Sequence, residues 1–250
     1  MAPVLETIGL VKRFGGITAS SDVSLKIAKG ARHALIGPNG AGKTTLVNLL
    51  TGMLRPTEGR ILLDGQDITD TQAYTRVHLG LARTFQINQL FGEMTPIEAI
   101  GLAVSERMGT GRQWWRLAGR KAEVVEEVAQ LIDQFHLGDV MTTRTAILPY
   151  GKQRLLEIAL AIACRPRVLL LDEPAAGVPD AERHEILTTV AALPEDVTVV
   201  LIEHDMDLVF SFADRISVLV NGALFVEDTP EAVARDPRVK AVYLGEALDA

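Results

Sequence analysis

Gly37-Pro38-Asn39-Gly40-Ala41-Gly42-Lys43-Thr44 decides the reading of this 250-residue chain. It follows the strand-like run Arg32-His33-Ala34-Leu35-Ile36 and precedes the helix-like run Thr45-Leu46-Val47-Asn48-Leu49-Leu50. The octapeptide fits GxxxxGK[ST] in its expected strand-then-helix setting. Glycines let the backbone curl so that its N–H groups face a phosphate, and the start of the next helix adds partial positive charge. Residues 37–45, including Ala41 and Thr45, are therefore the candidate phosphate cradle. Lys43 is placed to bridge the β and γ phosphates, and Thr44 offers a hydroxyl to Mg²⁺. The loop by itself does not separate kinases, GTPases and transport ATPases.

Downstream, Val168-Leu169-Leu170-Leu171 ends in Asp172-Glu173-Pro174, two adjacent carboxylates at the C-terminal edge of an apolar strand, where ligand chemistry gathers in α/β sheets. Asp172 can hold Mg²⁺ through water while Glu173 polarises an attacking water. Standing alone, the pair also fits an ordinary acidic loop cap. A second buried run, residues 197–202, ends in Glu203-His204-Asp205, so a histidine leaves the same sheet edge, positioned for the γ-phosphate or the attacking water.

The rest of the chain fits that setting. Apolar residues make up 48% of it, enough for a proper core. The longest apolar runs are strand-length, well short of the ~20 residues that cross a bilayer. The opening MAPVLETIGL lacks the basic and apolar regions of a secretory signal, so a cytoplasmic chain is expected. Cys164, the single cysteine, lies in an apolar stretch and reads as a buried structural thiol. With 25 basic and 32 acidic residues, the net charge of −7 argues against general nucleic-acid binding.

Periodicity divides the sequence. Up to about residue 86, short β-like segments dominate, with Val23, Leu25 and Ile27 alternating against polar neighbours. Asp64-Gly65 and Asn221-Gly222 read as hairpin turns. From 90 to 163 the pattern turns helical, and the nearly continuous apolar runs at 168–171, 197–202 and 215–220 then return as strands covered on both faces. The expectation is one α/β domain with a mainly parallel sheet and an antiparallel β flank (1–89 and 164–250), and a helical subdomain inserted at 90–163.

A third element, Leu148-Pro149-Tyr150-Gly151-Lys152-Gln153-Arg154, opens a helix between the phosphate loop and the acid pair and is similar to the LSGGQ signature of ABC ATPases. The resemblance runs from about residue 4 to 245 and implies a P-loop NTPase fold that binds ATP and Mg²⁺. It further implies a head-to-tail dimer, with itself or a homologous ATPase subunit. There the signature of one subunit, here Tyr150, Gly151 and Lys152, caps the γ-phosphate held by the other. Also implied are adenine stacking on Phe14, a contact of Gln86 with Mg²⁺ or the lytic water, His204 as the switch histidine, and integral membrane permease subunits as partners at the cell membrane.

Within that family, residues 12–19, 80–100, 156–162 and 228–247 resemble the LivG-type ATPases of branched-chain amino acid importers, which work with a solute-binding protein. Lipid or lipopolysaccharide export ATPases carry a similar tail, and soluble ABC proteins and P-loop kinases are the remaining alternatives. The chain departs from the family where the opposite nucleotide sits: Pro149 stands for the usual serine and Lys152 for glutamine. Ala176-Gly177-Val178-Pro179-Asp180 replaces AGLDP.

Three further features carry alternatives. The basic and aromatic stretch of Arg107, Arg112, Trp114, Trp115, Arg116, Arg120 and Lys121 fits a solvated segment packed on the helical insert, or a contact to lipid or permease. Leu90, Phe91 and Met94 fit either core packing or a permease groove. Tyr243 and Leu244 fit docking of a C-terminal helix.

Overall fold

The computed structural model describes residues 2–84, 90–109 and 120–244, without the side chains of 120, 121, 180, 181 and 244. In chain order its strands are β1 (Pro3–Phe14), β2 (Ile17–Ala28), β3 (Arg32–Ile36), β4 (Glu58–Leu63), β5 (Gln66–Asp67), β6 (Leu81–Arg83), β7 (Val168–Asp172), β8 (Thr198–Ile202), β9 (Arg215–Val220) and β10 (Ala223–Asp228). Its helices are α1 (Lys43–Leu50), α2 (Ala73–His78), α3 (Pro96–Arg107), α4 (Arg120–Gln134), α5 (Tyr150–Ala163), α6 (Asp180–Ala191), α7 (Met206–Phe212), α8 (Pro230–Arg235) and α9 (Pro237–Leu244).

The chain forms two compact units. The first joins Met1–Arg83, Arg167–Glu173 and Pro194–Ala250; the second joins Thr84–Pro166 with Pro174–Leu193. The segment 174–193, counted with the α/β core from sequence, thus clusters with the helical region.

In the first unit, β1, β2, β4 and β5 form an antiparallel sheet in the order β2-β1-β4-β5. The second sheet runs β10-β9-β3-β8-β7-β6, parallel from β9 to β6 with β10 antiparallel at its edge. Every residue of β7 and β8 is buried, which is why those strands read as unbroken apolar runs. One core cluster takes Leu46, Val47, Leu49 and Leu50 of α1 together with residues of both sheets. A second cluster packs α7, α8 and α9 on β3 and β9. Both expected hairpin turns form at left-handed dihedrals, Asp64 and Gly65 at φ 48° and 77°, Asn221 and Gly222 at 50° and 80°.

The C-terminus of α1 is held by a buried arginine on α2. Arg76 Nη1 donates to the carbonyls of Leu49 and Leu50 at 2.8 and 2.6 Å, and Nε and Nη2 donate to Thr71 and Thr69. A cation on the last turn satisfies otherwise orphaned carbonyls and complements the helix dipole. The helix behind the phosphate loop is thereby fixed at its far end.

In the second unit α3 packs on α4 and α5, and α5 on α6. Thr95 and Glu98 build a reciprocal capping box at the start of α3. Arg154 and Glu157 make a buried ion pair within α5 at 2.6 Å.

Candidate functional site

The parallel strands place three chemical segments at one edge of the sheet. Leu35 pairs with Ile202 and Asp172 pairs with Ile202, so β3, β7 and β8 end level with one another, and the phosphate loop, the acid pair and Glu203-His204 leave from those ends. This is the crevice edge at which open α/β sheets bind ligands.

The loop backbone demands its glycines. Gly42 is the N-cap of α1 at φ 96°, and a Cβ there would lie 2.6 Å from the Ala19 carbonyl; a Cβ on Gly37 (φ 152°) would lie 2.3 Å from that of Leu219. No side chain fits either place, and the turn stays tight enough to present N–H groups. Pro38 is half-buried, Asn39 and Gly40 are exposed at the tip, and Ala41 is buried. Lys43 Nζ donates to the carbonyls of Gly37 and Pro38 at 2.5 and 3.1 Å, folded back on the loop. Burial pushes the ammonium down from its ordinary range while the charges of Glu173 and Asp172 oppose the shift, so the three groups face one another. Thr44 is exposed in the first turn of α1 and Thr45 half-buried. An exposed hydroxyl and a carboxylate beside a phosphate cradle are the hard oxygen donors that Mg²⁺ prefers, so the residues present fit a Mg-nucleotide.

Asp172 and Glu173 diverge because the backbone breaks between them. Glu173 adopts a left-handed conformation, φ 46°, while its N–H still donates to the Ile202 carbonyl at 2.9 Å. Such a conformation is uncommon for a non-glycine residue and concentrates at functional sites. Asp172 is buried, with Oδ2 accepting from Arg83 Nη2 at 2.7 Å, and Arg83 Nη1 also donates to Asn48 Oδ1 at 2.6 Å. Glu173 Oε1 lies 3.6 Å from His204 Nδ1, and the histidine side chain is well exposed. Glu203 is buried. Burial pushes its carboxyl up, opposed by the backbone N–H groups of His204 and Asp205 and by the His204 ring, and Glu173 adds to the rise.

Sequence reasoning missed Arg83, Asn48 and Glu203. Arg83 stood inside the ARTF run and Glu203 beside the histidine, but their partners lie far away in the chain or depend on burial.

Phe14 is 46% exposed at the end of β1, and Lys12 Nζ lies over one face of its ring, 5.1 Å from the centroid. Gln86 lies outside the described residues. On the C-terminal helix, burial pushes the Tyr243 hydroxyl up to about 12, opposed by the Gly37 N–H, which places α9 against the first glycine of the loop.

In the second unit, Pro149 is the N-cap of α5 and not its first helical residue, with φ −52° and ψ 146° and no side-chain cap. Tyr150 opens the helix, and the Gly151 N–H donates to Glu182 Oε2 at 2.9 Å. Lys152, expected to reach nucleotide, is turned onto its own unit: Nζ donates to the His136 carbonyl at 2.7 Å and to Glu185 Oε1 at 3.1 Å. Phe91 is 67% exposed, which removes core packing as its role, whereas Leu90 and Met94 are half-buried. Arg107 pairs with Glu127; Arg112, Trp114, Trp115 and Arg116 lie outside the described residues, as do the side chains of Arg120 and Lys121. Cys164 is half-buried at the end of α5 and not fully enclosed, its thiol pushed up by burial with Arg107 opposing.

Residues 20–176 match the family model described as ABC transporter, and residues 225–249 match that of the branched-chain amino acid ATP-binding cassette transporter. The chain is 41% identical to the high-affinity branched-chain amino acid transport ATP-binding protein BraF of Pseudomonas aeruginosa, covering 98% of this chain and 99% of that protein. It is 40% identical to LivG of Escherichia coli K12, of the same description, over the same shares. A nucleotide-free ATP-binding cassette from an ABC transporter superposes with a TM-score of 0.82 at 32% identity, over 97% of this chain and 99% of the other. An ADP conformation of an ATP-binding cassette gives 0.82 at 30%, over 98% and 100%.

Proposed function

The chain belongs to the ABC transporter family of ATP-binding cassettes, and from that premise we propose that it powers uptake of branched-chain or other hydrophobic amino acids through a separate membrane permease. The observation that carries the reading is the convergence of Lys43, Asp172, Glu173 and His204 at one sheet edge. Support for the cargo comes from the full-length similarity to BraF and LivG and from the matching C-terminal segment. No described helix is long and apolar enough to cross a membrane. On this reading the membrane step belongs to permease subunits at whose cytoplasmic face the chain works.

Residues 37–45 hold the phosphates of ATP and Phe14 stacks on the adenine. Thr44 and Asp172, together with Gln86, would hold Mg²⁺, which would supply positive charge to the phosphates. Glu173 accepts a proton from the attacking water and His204 orients the γ-phosphate side of the site. Tyr150 and Gly151 at the start of α5 supply helix N–H groups to the nucleotide of a facing subunit in a head-to-tail dimer, whether a second copy or a homologue. Lys152 enters this contact only by leaving its own-unit carboxylates.

Purification of the tagged chain from membranes of its source cells, with identification of bound proteins, tests the reading. A hydrophobic amino acid permease and a second ATPase subunit are expected. Recovery with lipid-export membrane subunits overturns the cargo and leaves the ATPase assignment standing.

A further inference from the structure

Glu203 is a buried carboxyl beside the site, adjacent to His204 in the chain. Its relative exposure is 2%, and Oε1 has no hydrogen-bond partner among the described residues. Oε2 accepts from the His204 backbone N–H at 3.2 Å and lies 3.8 Å from His204 Nδ1. The same ring nitrogen lies 3.6 Å from Glu173 Oε1. Two carboxyls therefore flank one edge of an otherwise exposed imidazole.

The two flanking groups differ in freedom. The Glu203 side chain is 3% exposed and pinned by a backbone N–H, whereas that of Glu173 is 22% exposed and faces the site. A buried carboxyl with one oxygen unpartnered costs stability, which points to a role that keeps it there. Resting on the reading of this edge as the ATP site, we infer that Glu203 is a positioning residue for His204. Together with Glu173 it attracts the ring proton to Nδ1, which leaves Nε2 to face the nucleotide.

The geometry supports this assignment in three ways. A proton on Nδ1 placed within 4 Å of two acceptor oxygens is attracted to both. The partner of one ring nitrogen sets which nitrogen carries the proton, and thereby the chemistry of the other. Burial pushes the Glu203 carboxyl up while the His204 backbone N–H and ring oppose the shift, as expected of two groups that face each other.

The test is nitrogen-15 NMR of the histidine rings in the nucleotide-free chain, with His204 assigned from the loss of its signal in His204→Gln. The wild type is expected to hold the proton on Nδ1. Glu203→Leu, which keeps side-chain volume, is expected to move it toward Nε2, and Glu203→Gln, whose amide oxygen can still accept, to keep most of the wild-type pattern. In parallel, Glu203→Leu should lower kcat for ATP by about ten- to a hundredfold, the scale on which such supporting partners act, with KM little changed, and Glu203→Gln should recover most of that loss. Melting curves confirm that each variant is folded; if the leucine variant is not, the glutamine variant and the wild-type tautomer decide. A wild-type ring protonated on Nε2, or ring signals indifferent to Glu203→Leu, overturns the inference. The expected ring response in a chain with no ATP turnover overturns the ATPase reading and leaves the Glu203–His204 relation intact.

Discussion

Arg83 Nη2 donates to Asp172 Oδ2 at 2.7 Å, and both side chains are about nine-tenths buried. The carboxylate proposed to hold the metal is thus paired with a cation from the neighbouring strand, and Arg83 Nη1 ties the same guanidinium to Asn48 on α1. Loss of one partner from a buried ion pair leaves an uncompensated charge. Arg83→Met is expected to destabilise the nucleotide-free protein by about 3 kcal/mol, and Mg-ATP should stabilise the variant more than the wild type, because the metal then replaces the lost cation on Asp172. Thermal unfolding of both proteins with and without Mg-ATP measures the difference.

A second buried network makes stability depend on pH. His33 Nε2 lies 2.8 Å from Ser217 Oγ, whose hydroxyl donates to Glu227 Oε2, so the imidazole donates from Nε2. Burial holds the ring down to about 4 from its ordinary 6.5, with Glu227 opposing and Arg215 adding to the shift. A folded value below the unfolded one means that stability is full above about pH 6.5 and falls as the pH drops toward 4, by about 3 kcal/mol in all. Urea unfolding at pH 7 and pH 4.5 checks this, and His33→Gln, which keeps a donor but does not titrate, should flatten that part of the loss.

The start of α5 offers a competition between two side chains. Pro149 leaves the N-cap without a side-chain acceptor, and Glu182 Oε2 takes the Gly151 N–H that a facing phosphate would need. Pro149→Ser supplies a capping oxygen worth ~1 kcal/mol to the fold. Glu182→Gln removes a negative charge from the helix N-terminus and should tighten the ATP-bound dimer several-fold. Combined with Pro149→Ser the gain should grow, and sedimentation in ATP and Mg²⁺ at several protein concentrations reads it.

The legible part of the site was local. The phosphate loop carries its geometry in adjacent glycines, whose crowding at Gly37 and Gly42 matches what the spacing implied. Asp172, Glu173 and His204 were legible because each follows an apolar run, and parallel strands bring such run ends to one edge. The hairpin turns at Asp64-Gly65 and Asn221-Gly222 were equally local.

What remained hidden depends on contacts distant in sequence or on burial. Arg83 and Asp172 are 89 positions apart, and Arg76 reaches back 27 positions to cap α1. No spacing rule joins such pairs. The contacts of Lys152 with Glu185 and Asp139 were hidden for the same reason, since both carboxylates lie elsewhere in the chain. Residues 174–193 follow a core strand directly, which concealed their clustering with the helical unit.

The central claim is that two subunits close on ATP and that Glu173 then takes the water's proton. Glu173→Gln keeps the shape and the ability to bind but cannot accept that proton, so turnover should fall by about a hundredfold or more. The decisive measurement is size-exclusion chromatography of purified Glu173→Gln protein with and without ATP and Mg²⁺, alongside its ATPase rate. A monomer without nucleotide, a stable dimer holding two ATP molecules with it, and near-absent hydrolysis are expected. A variant that binds ATP yet stays monomeric at all concentrations, or that hydrolyses at the wild-type rate, would contradict it.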